Sequence, residues 1–497
     1  MSRPMRARAL IPILVCLALA PAVAGCGSQG EAGLPGGAEL VPADVAMFAA
    51  IDTDFGSGQW ETAGDLLENF PDGDKLRVFI VDELSSEGID LEEDVQPALG
   101  PQVNVVWFDP RDDQSFVGLT QPEDPEKLQE LLDQADEEMF FRDVEGWTAF
   151  AEDEEYLDAL VQGRAAGSLS DDSRFADAMA RVAEDALVRL YFNGPAAAPA
   201  FEEEAGLDQG AVADLLPGGE VPWFSVSLSA EDRGGRFEGA VGFADDPEGY
   251  VGPSYEANLP DVVPAGALAY VSFKDLEGQF SKLRDLFAEA EPEFERDIAR
   301  FENEIDVSVE EDIGPLLAGE GALYVRRGAF IPEVTLLLEV EDEEEAVGVI
   351  DDLVSGLGDY VPLGEPRTTD IAGVEARQID IEPPVSLYYA AFDGRLVITT
   401  QRAGIVDLRE EDDRLSGDDG FEDALEDADM PDETVGFAYV NLRETIPYLL
   451  GFAGAAGENG DSVPDEVERN LEPLEHLVVF GTRDGNTLEF SGFLAID

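Results

Sequence analysis

The chain has 497 residues, 44% of them hydrophobic and 9% aromatic, with 110 acidic residues against 30 basic ones and a formal net charge of −80. That length predicts two domains, and the composition is that of a folded protein, not a disordered one. A field of this sign repels nucleic acid and anionic lipid, which excludes a nucleic-acid partner, and it suits a solvated surface adapted to high ionic strength, a halophilic pattern.

The first element is an export segment. Arg3, Arg6 and Arg8 form a positive stretch, and Ala9 to Ala20 is an apolar run of 12 residues broken by Pro12. That run is too short to span a bilayer as a mature helix. Val23-Ala24-Gly25-Cys26 then resembles the bacterial lipobox, in which the cysteine is lipidated and becomes the mature N-terminus. Residues 1–25 are therefore expected to be a lipoprotein signal peptide, and Cys26 the lipidated residue. This predicts a lipid anchor on the extracytoplasmic face of the cytoplasmic membrane, with the membrane as partner. Acyl chains contribute about 0.8 kcal/mol per buried methylene, so two or more give stable anchoring. Cys16 and Cys26 are the only cysteines, which leaves the remainder without a disulfide or a thiolate site. Residues 26–39 are Gly-rich and predict a flexible tether.

From residue 40 the chain reads as two copies of one domain, at 40–243 and 259–497, joined by a linker at 244–258. Val45 to Asp52 and Ala267 to Phe273 are strands entered through Pro42 and Pro264. Gly58-Gln59-Trp60 and Gly278-Gln279-Phe280 each open a helix by their spacing of apolar residues. Leu91-Glu92-Glu93-Asp94-Val95-Gln96-Pro97 matches Val309-Glu310-Glu311-Asp312-Ile313-Gly314-Pro315. Asp90 or Ser308 precedes the match as a cap, and Glu93 or Glu311 follows three residues later, which is the capping-box pattern. Pro97 and Pro315 bend the short helix that results, and Gly100 and Gly319 end it.

Strands follow at Val103–Phe108 and Ala322–Val325, then at Ser115–Leu119 and Val334–Val340. Helices come next at Asp124–Gln134 and Asp342–Leu353, and strands at Trp147–Phe150 and Leu396–Thr400. Leu169 to Phe175 matches Leu415 to Phe421, and Val188–Phe192 matches Val435–Val440. Each copy closes on a hairpin, Trp223–Leu228 with Phe237–Phe243 and Leu477–Phe480 with Leu488–Leu494. Strands and helices mix without strict alternation. The expected class is α+β: two tandem copies of a related domain, each a largely antiparallel sheet with helices packed on it.

A proline-entered strand, a Gln-Trp helix start and an acidic short helix ending in Pro and Leu-Gly, in a lipobox-bearing chain, together resemble an uncharacterised bacterial domain-of-unknown-function family of exported proteins and lipoproteins. The resemblance covers nearly the whole mature chain. Its motifs are structural, and it implies no catalytic residues. The second copy departs from the pattern at Phe280, where the first has Trp60, and at Gly266, where the first has Asp44.

The sequence offers little chemistry. His476 is the single histidine, and the repeat sets Trp223 opposite it, which makes it structural. No G-x-S-x-G turn, zinc-ligand set or phosphate loop is present. The triplets Glu92-Glu93-Asp94 and Glu310-Glu311-Asp312 fan around a helix start and read as capping groups. Asp52-Thr53-Asp54-Phe55-Gly56 alternates acids as a calcium loop does but lacks the remainder of that loop. All four tryptophans, Trp60, Trp107, Trp147 and Trp223, fall in the first copy, as core packing or as an aromatic pocket. No catalytic residue, metal site or cofactor is assigned. The expectation is a non-catalytic binding or structural component of the cell envelope. The alternatives are an extracytoplasmic hydrolase using acidic side chains and a carrier of an apolar ligand.

Overall fold

The structure, a computed structural model, describes residues 33–73, 91–112, 114–133, 139–206, 209–214, 216–247, 249–290, 292–305, 307–328, 331–357, 363–381, 385–456 and 464–497. The proposed lipidation site Cys26 and the cap Asp90 lie outside these residues.

The fold is α+β, built on antiparallel sheet, and the chain divides into two compact units. The first comprises the described residues up to Asp246, together with Pro464–Pro473 and Asp484–Asp497; the second comprises Pro247–Val463 and Leu474–Arg483. The strands in chain order are β1 (Met47–Asp52), β2 (Gln102–Trp107), β3 (Phe116–Thr120), β4 (Phe140–Val144), β5 (Trp147–Ala151), β6 (Val188–Phe192), β7 (Trp223–Glu231) and β8 (Gly234–Gly242). They continue with β9 (Ala267–Lys274), β10 (Glu320–Arg326), β11 (Glu333–Glu339), β12 (Arg367–Ile371), β13 (Val374–Asp380), β14 (Ser386–Phe392), β15 (Arg395–Thr399), β16 (Gly436–Asn441), β17 (Leu474–Asp484) and β18 (Thr487–Ile496). Two-residue bridges are left unlabelled.

In the first unit the strand order is β4-β5-β3-β2-β1-β6-β7-β8-β18, all antiparallel. The last strand pairs with β8 from Thr487↔Gly242 to Ala495↔Gly234. Residues 487–497 are expected within the second copy, 259–497. The β18 ladder to β8 runs through nine residue pairs, and that pairing puts the strand in the first unit. In the second unit the order is β12-β13-β14-β15-β11-β10-β9-β16-β17, again antiparallel.

Alternation along β1 and β6 turns Phe48 and Tyr191 to one face. There they meet Phe175 of the helix Ser173–Met179 edge-on, with centroids 5.5 and 5.2 Å apart. In the second unit Tyr270 and Tyr439 meet Phe421 of the helix Asp419–Asp427 at 6.0 and 5.1 Å. All six rings are almost fully buried, and burial of each contributes about 2–3 kcal/mol. Asp172 and Asp418 cap these two helices with their side chains. Pro42 bridges to Ser168 and Pro264 to Arg414, so each proline entry is pinned beside its capped helix.

Close packing also fixes several glycines. Gly118, Gly239, Gly242, Gly321 and Gly492 stand directly opposite Phe150, Phe490, Trp223, Phe273 and Phe237 on neighbouring strands. In each pair the ring lies over the glycine, where a Cβ would overlap it.

Three local expectations change. The helix expected to open at Gly278 begins at Leu276, after Asp275 with φ 53°. The acidic motifs form wide five-residue turns, Leu91–Val95 and Val309–Ile313, and Ile313 N bonds back five residues to Ser308 O. Ser308 does cap, accepting from Glu311 N at 3.1 Å, but Asp312 and not Glu311 returns the bond, its Oδ2 accepting from Ser308 N at 2.6 Å. The wider turn carries the fourth residue back over the cap. Finally, the segment from Gly33 to Glu39, expected within the flexible tether, is packed. Gly36 O accepts from Asn104 Nδ2 at 2.8 Å and from Gln102 Nε2 at 3.0 Å, and Ala38 is fully buried. Gly37 has φ 85°, and a Cβ there would meet Asn104, so the glycines that suggested flexibility serve a close approach.

Candidate functional site

A cavity of about 460 Å³ lies in the first unit where β1, β2 and β6 meet the start of the helix Gly58–Leu67. Its lining includes Asp52, Ser57, Gln59, Thr62, Gln102, Glu184, Asp185 and Arg189.

The helix supplies one wall. Ser57 caps it, accepting from Trp60 N, and Asp52 organises the approach: its Oδ1 accepts from Asp54 N at 2.8 Å and its Oδ2 from Ser57 Oγ at 2.7 Å. Burial raises the proton affinity of Asp52 above the ordinary carboxylate range, against the lowering effect of these two donors. Asp54 Oδ1 accepts from Gly56 N at 3.1 Å, and Thr53 Oγ1 donates to Gly100 O at 2.7 Å. The stretch from Asp52 to Gly56 therefore spends these oxygens on turning the chain into a helix. Among the described residues no group of three or more His, Cys, Asp or Glu side chains is placed to hold a metal ion.

Two amides fix the walls. Gln59 pairs with the backbone of Ala230, accepting from its N at 2.6 Å. Gln102 Nε2 also donates to Asn104 Oδ1 at 2.6 Å.

Arg189 supplies the charge. It lies on the same face of β6 as Tyr191, 9% exposed, and Nη1 donates to Gly33 O at 3.0 Å. No carboxylate of a described residue is within ion-pair distance of it. Burial lowers its proton affinity, and the nearby charges of Glu184 and Asp185 act the other way. Those two carboxylates are exposed.

The residues singled out by sequence distribute differently. Asp52 lines the cavity; none of the four tryptophans does. Trp60 Nε1 donates to Asp52 O at 3.1 Å and its ring packs on Phe55, Trp107 stacks on Phe116 at 5.4 Å, and Trp147 and Trp223 are buried. His476 lies in the second unit on β17, 6% exposed, with Nε2 3.2 Å from Asp427 Oδ2. Sequence reasoning missed Arg189, Gln102, Glu184 and Asp185. One signal was present: in Val188-Arg189-Leu190-Tyr191-Phe192 a charged residue alternates in phase with the core tyrosine.

A second charged cluster occupies the second unit. Glu333 is 2% exposed opposite Arg326, whose Nη1 lies 3.9 Å away. Arg326 is held at 2.8 Å by Asp407 and at 3.1 Å by Glu411. Burial pushes Glu333 up to about 7, against the pull of Arg326.

No protein-family model matches the chain, and no curated protein does. Among solved structures, crystal form III of TP0453 is 11% identical, covering 48% of this chain and 95% of its own, with a TM-score of 0.24. Crystal form I is 14% identical, covering 47% and 77%, also with a TM-score of 0.24. At these values the likeness carries no argument about fold or activity.

Proposed function

We propose that the chain is a lipid-anchored envelope protein that binds a small polar ligand in the cavity of its first unit. The observation that carries this reading is the cavity itself: a preformed pocket walled by pinned amides and holding a buried guanidinium with a single hydrogen bond to a backbone carbonyl. Its lining carries four charged side chains, Asp52, Glu184, Asp185 and Arg189, which favours this reading over a carrier of apolar ligands. A hydrolase would need Asp52 free to move a proton, and both its oxygens are held by donors.

The two units are, on this reading, copies of one ancestral domain of the exported family that the sequence resembles. β1 between β2 and β6 corresponds to β9 between β10 and β16, and the proline bridges, aspartate caps and aromatic triads recur at matching positions.

Anchorage rests on Cys26. Gly33, which bonds to Arg189, is seven Cα steps from Cys26, and extended chain covers about 3.5 Å per residue, so Gly33 lies within about 25 Å of the lipid attachment. Among the described residues no helix is long and apolar enough to cross a membrane. Cys26→Ser should move the protein from the membrane fraction to the soluble fraction; retention in the membrane refutes the anchor. Native mass spectrometry of the protein purified from its own cells should show one small molecule bound per chain, lost in Arg189→Gln. A bare mass in both refutes the binding reading.

A further inference from the structure

Resting on that binding reading, we infer that the cavity takes a small zwitterion, a molecule with an oxyanion (carboxylate or phosphate) at one end and an ammonium group at the other. Arg189 is the reason for the oxyanion. A guanidinium offers five N–H donors, and here it is nine-tenths buried with one donor spent on Gly33 O. A buried cation without a bonded counter-ion is costly, and a carboxylate or phosphate would answer it with paired, charge-assisted hydrogen bonds.

The remaining lining is the reason for the ammonium group. Asp52, Glu184 and Asp185 face the same space, three acids against one arginine. A simple anion would meet their combined repulsion. A simple cation would leave Arg189 unanswered and add a second positive charge beside it. A zwitterion satisfies both ends at once, and each wrong ligand is rejected by a specific unpaired charge. The volume of about 460 Å³ suits a molecule on the scale of a dipeptide or a lipid headgroup, within the usual range for ligand cavities. Because Gln59 and Gln102 are already committed to backbone and side-chain partners, the walls need no rearrangement to receive it.

The test is isothermal titration calorimetry on the purified protein in molar sodium chloride, where diffuse attraction of cations to the acidic surface is screened. The probes are glycylglycine and phosphoethanolamine as zwitterions, acetate and phosphate as anions, and ethylammonium as the cation. One zwitterion should bind per chain, roughly tenfold or more tighter than any singly signed probe. Arg189→Gln should abolish that binding. Because Arg189 is buried, the exposed pair supplies an independent variant. Glu184→Gln with Asp185→Asn should bring the anions level with the zwitterions. An anion or cation that binds the unaltered protein as tightly as the zwitterions overturns this inference and leaves the binding reading standing. Silence from every probe also overturns this inference, and the native mass spectrum then decides the binding reading. Vesicles of phosphatidylethanolamine separate two sources of the same chemistry: competition with phosphoethanolamine identifies a lipid headgroup, and its absence a free solute.

Discussion

Glu333→Gln should stabilise the protein in alkaline solution and leave it almost unchanged in acid. The carboxyl is 2% exposed, and burial lifts it from an ordinary 4.5 to about 7. A raised carboxyl favours the folded state while it is protonated, so its contribution is complete below about 4.5 and is lost as the pH rises through about 7. At about 1.4 kcal/mol per pH unit the loss is about 3 kcal/mol. Glutamine keeps the neutral form at every pH, and Asp407 and Glu411 continue to hold Arg326 at 2.8 and 3.1 Å. The variant should therefore exceed the parent by up to about 3 kcal/mol at pH 8, or several degrees in melting temperature for a unit of this size. At pH 5 the two should nearly coincide. Calorimetric melts of both proteins at the two pH values, in the same salt, measure the difference directly. A variant destabilised equally at pH 5 and pH 8 would refute the reasoning, because it would mean that the ionised carboxylate is a net stabilising partner of Arg326.

The remaining predictions are independent of that cluster. With a net charge of −80, the melting temperature should climb as sodium chloride rises from dilute to molar concentration, and a flat dependence would contradict the reading of the surface. Gly242→Ala should cost about 1–3 kcal/mol in chemical denaturation, since its methyl group would overlap the Trp223 ring opposite. Asp312→Asn should destabilise the protein more than Glu311→Gln, because Asp312 is the carboxylate that bonds Ser308 N; a larger cost for Glu311→Gln would restore the conventional capping box.

Much of the fold was legible because local chemistry specifies it. The prolines before β1 and β9 and the apolar alternation of the central strands are each sufficient to mark their element, whereas the match of Leu169–Phe175 with Leu415–Phe421 did not disclose the aspartate-capped helices that begin there. What the sequence concealed depends on distance along the chain. Nothing in the composition of β18 distinguishes β8 as its partner, since antiparallel pairing is set by the sheet edge that is available. The reach of Asp312 over Ser308 follows from a wide turn, and a spacing rule built on ordinary helices points to Glu311 instead. Gly33 to Gly37 read as flexible because glycine lacks a side chain, and the same property lets the backbone lie against Asn104 and Glu184. The candidate site was less legible than the fold. Asp52 drew notice for an alternation of acids, and Arg189 is buried only because strands distant in sequence pack around it.

The most direct test is a crystal structure of the protein grown with phosphoethanolamine. The account predicts one molecule in the first unit's cavity, its phosphate on the Arg189 guanidinium and its amine toward Asp52, Glu184 or Asp185. Ordered water alone in that cavity, at a concentration that saturates binding in solution, would contradict it.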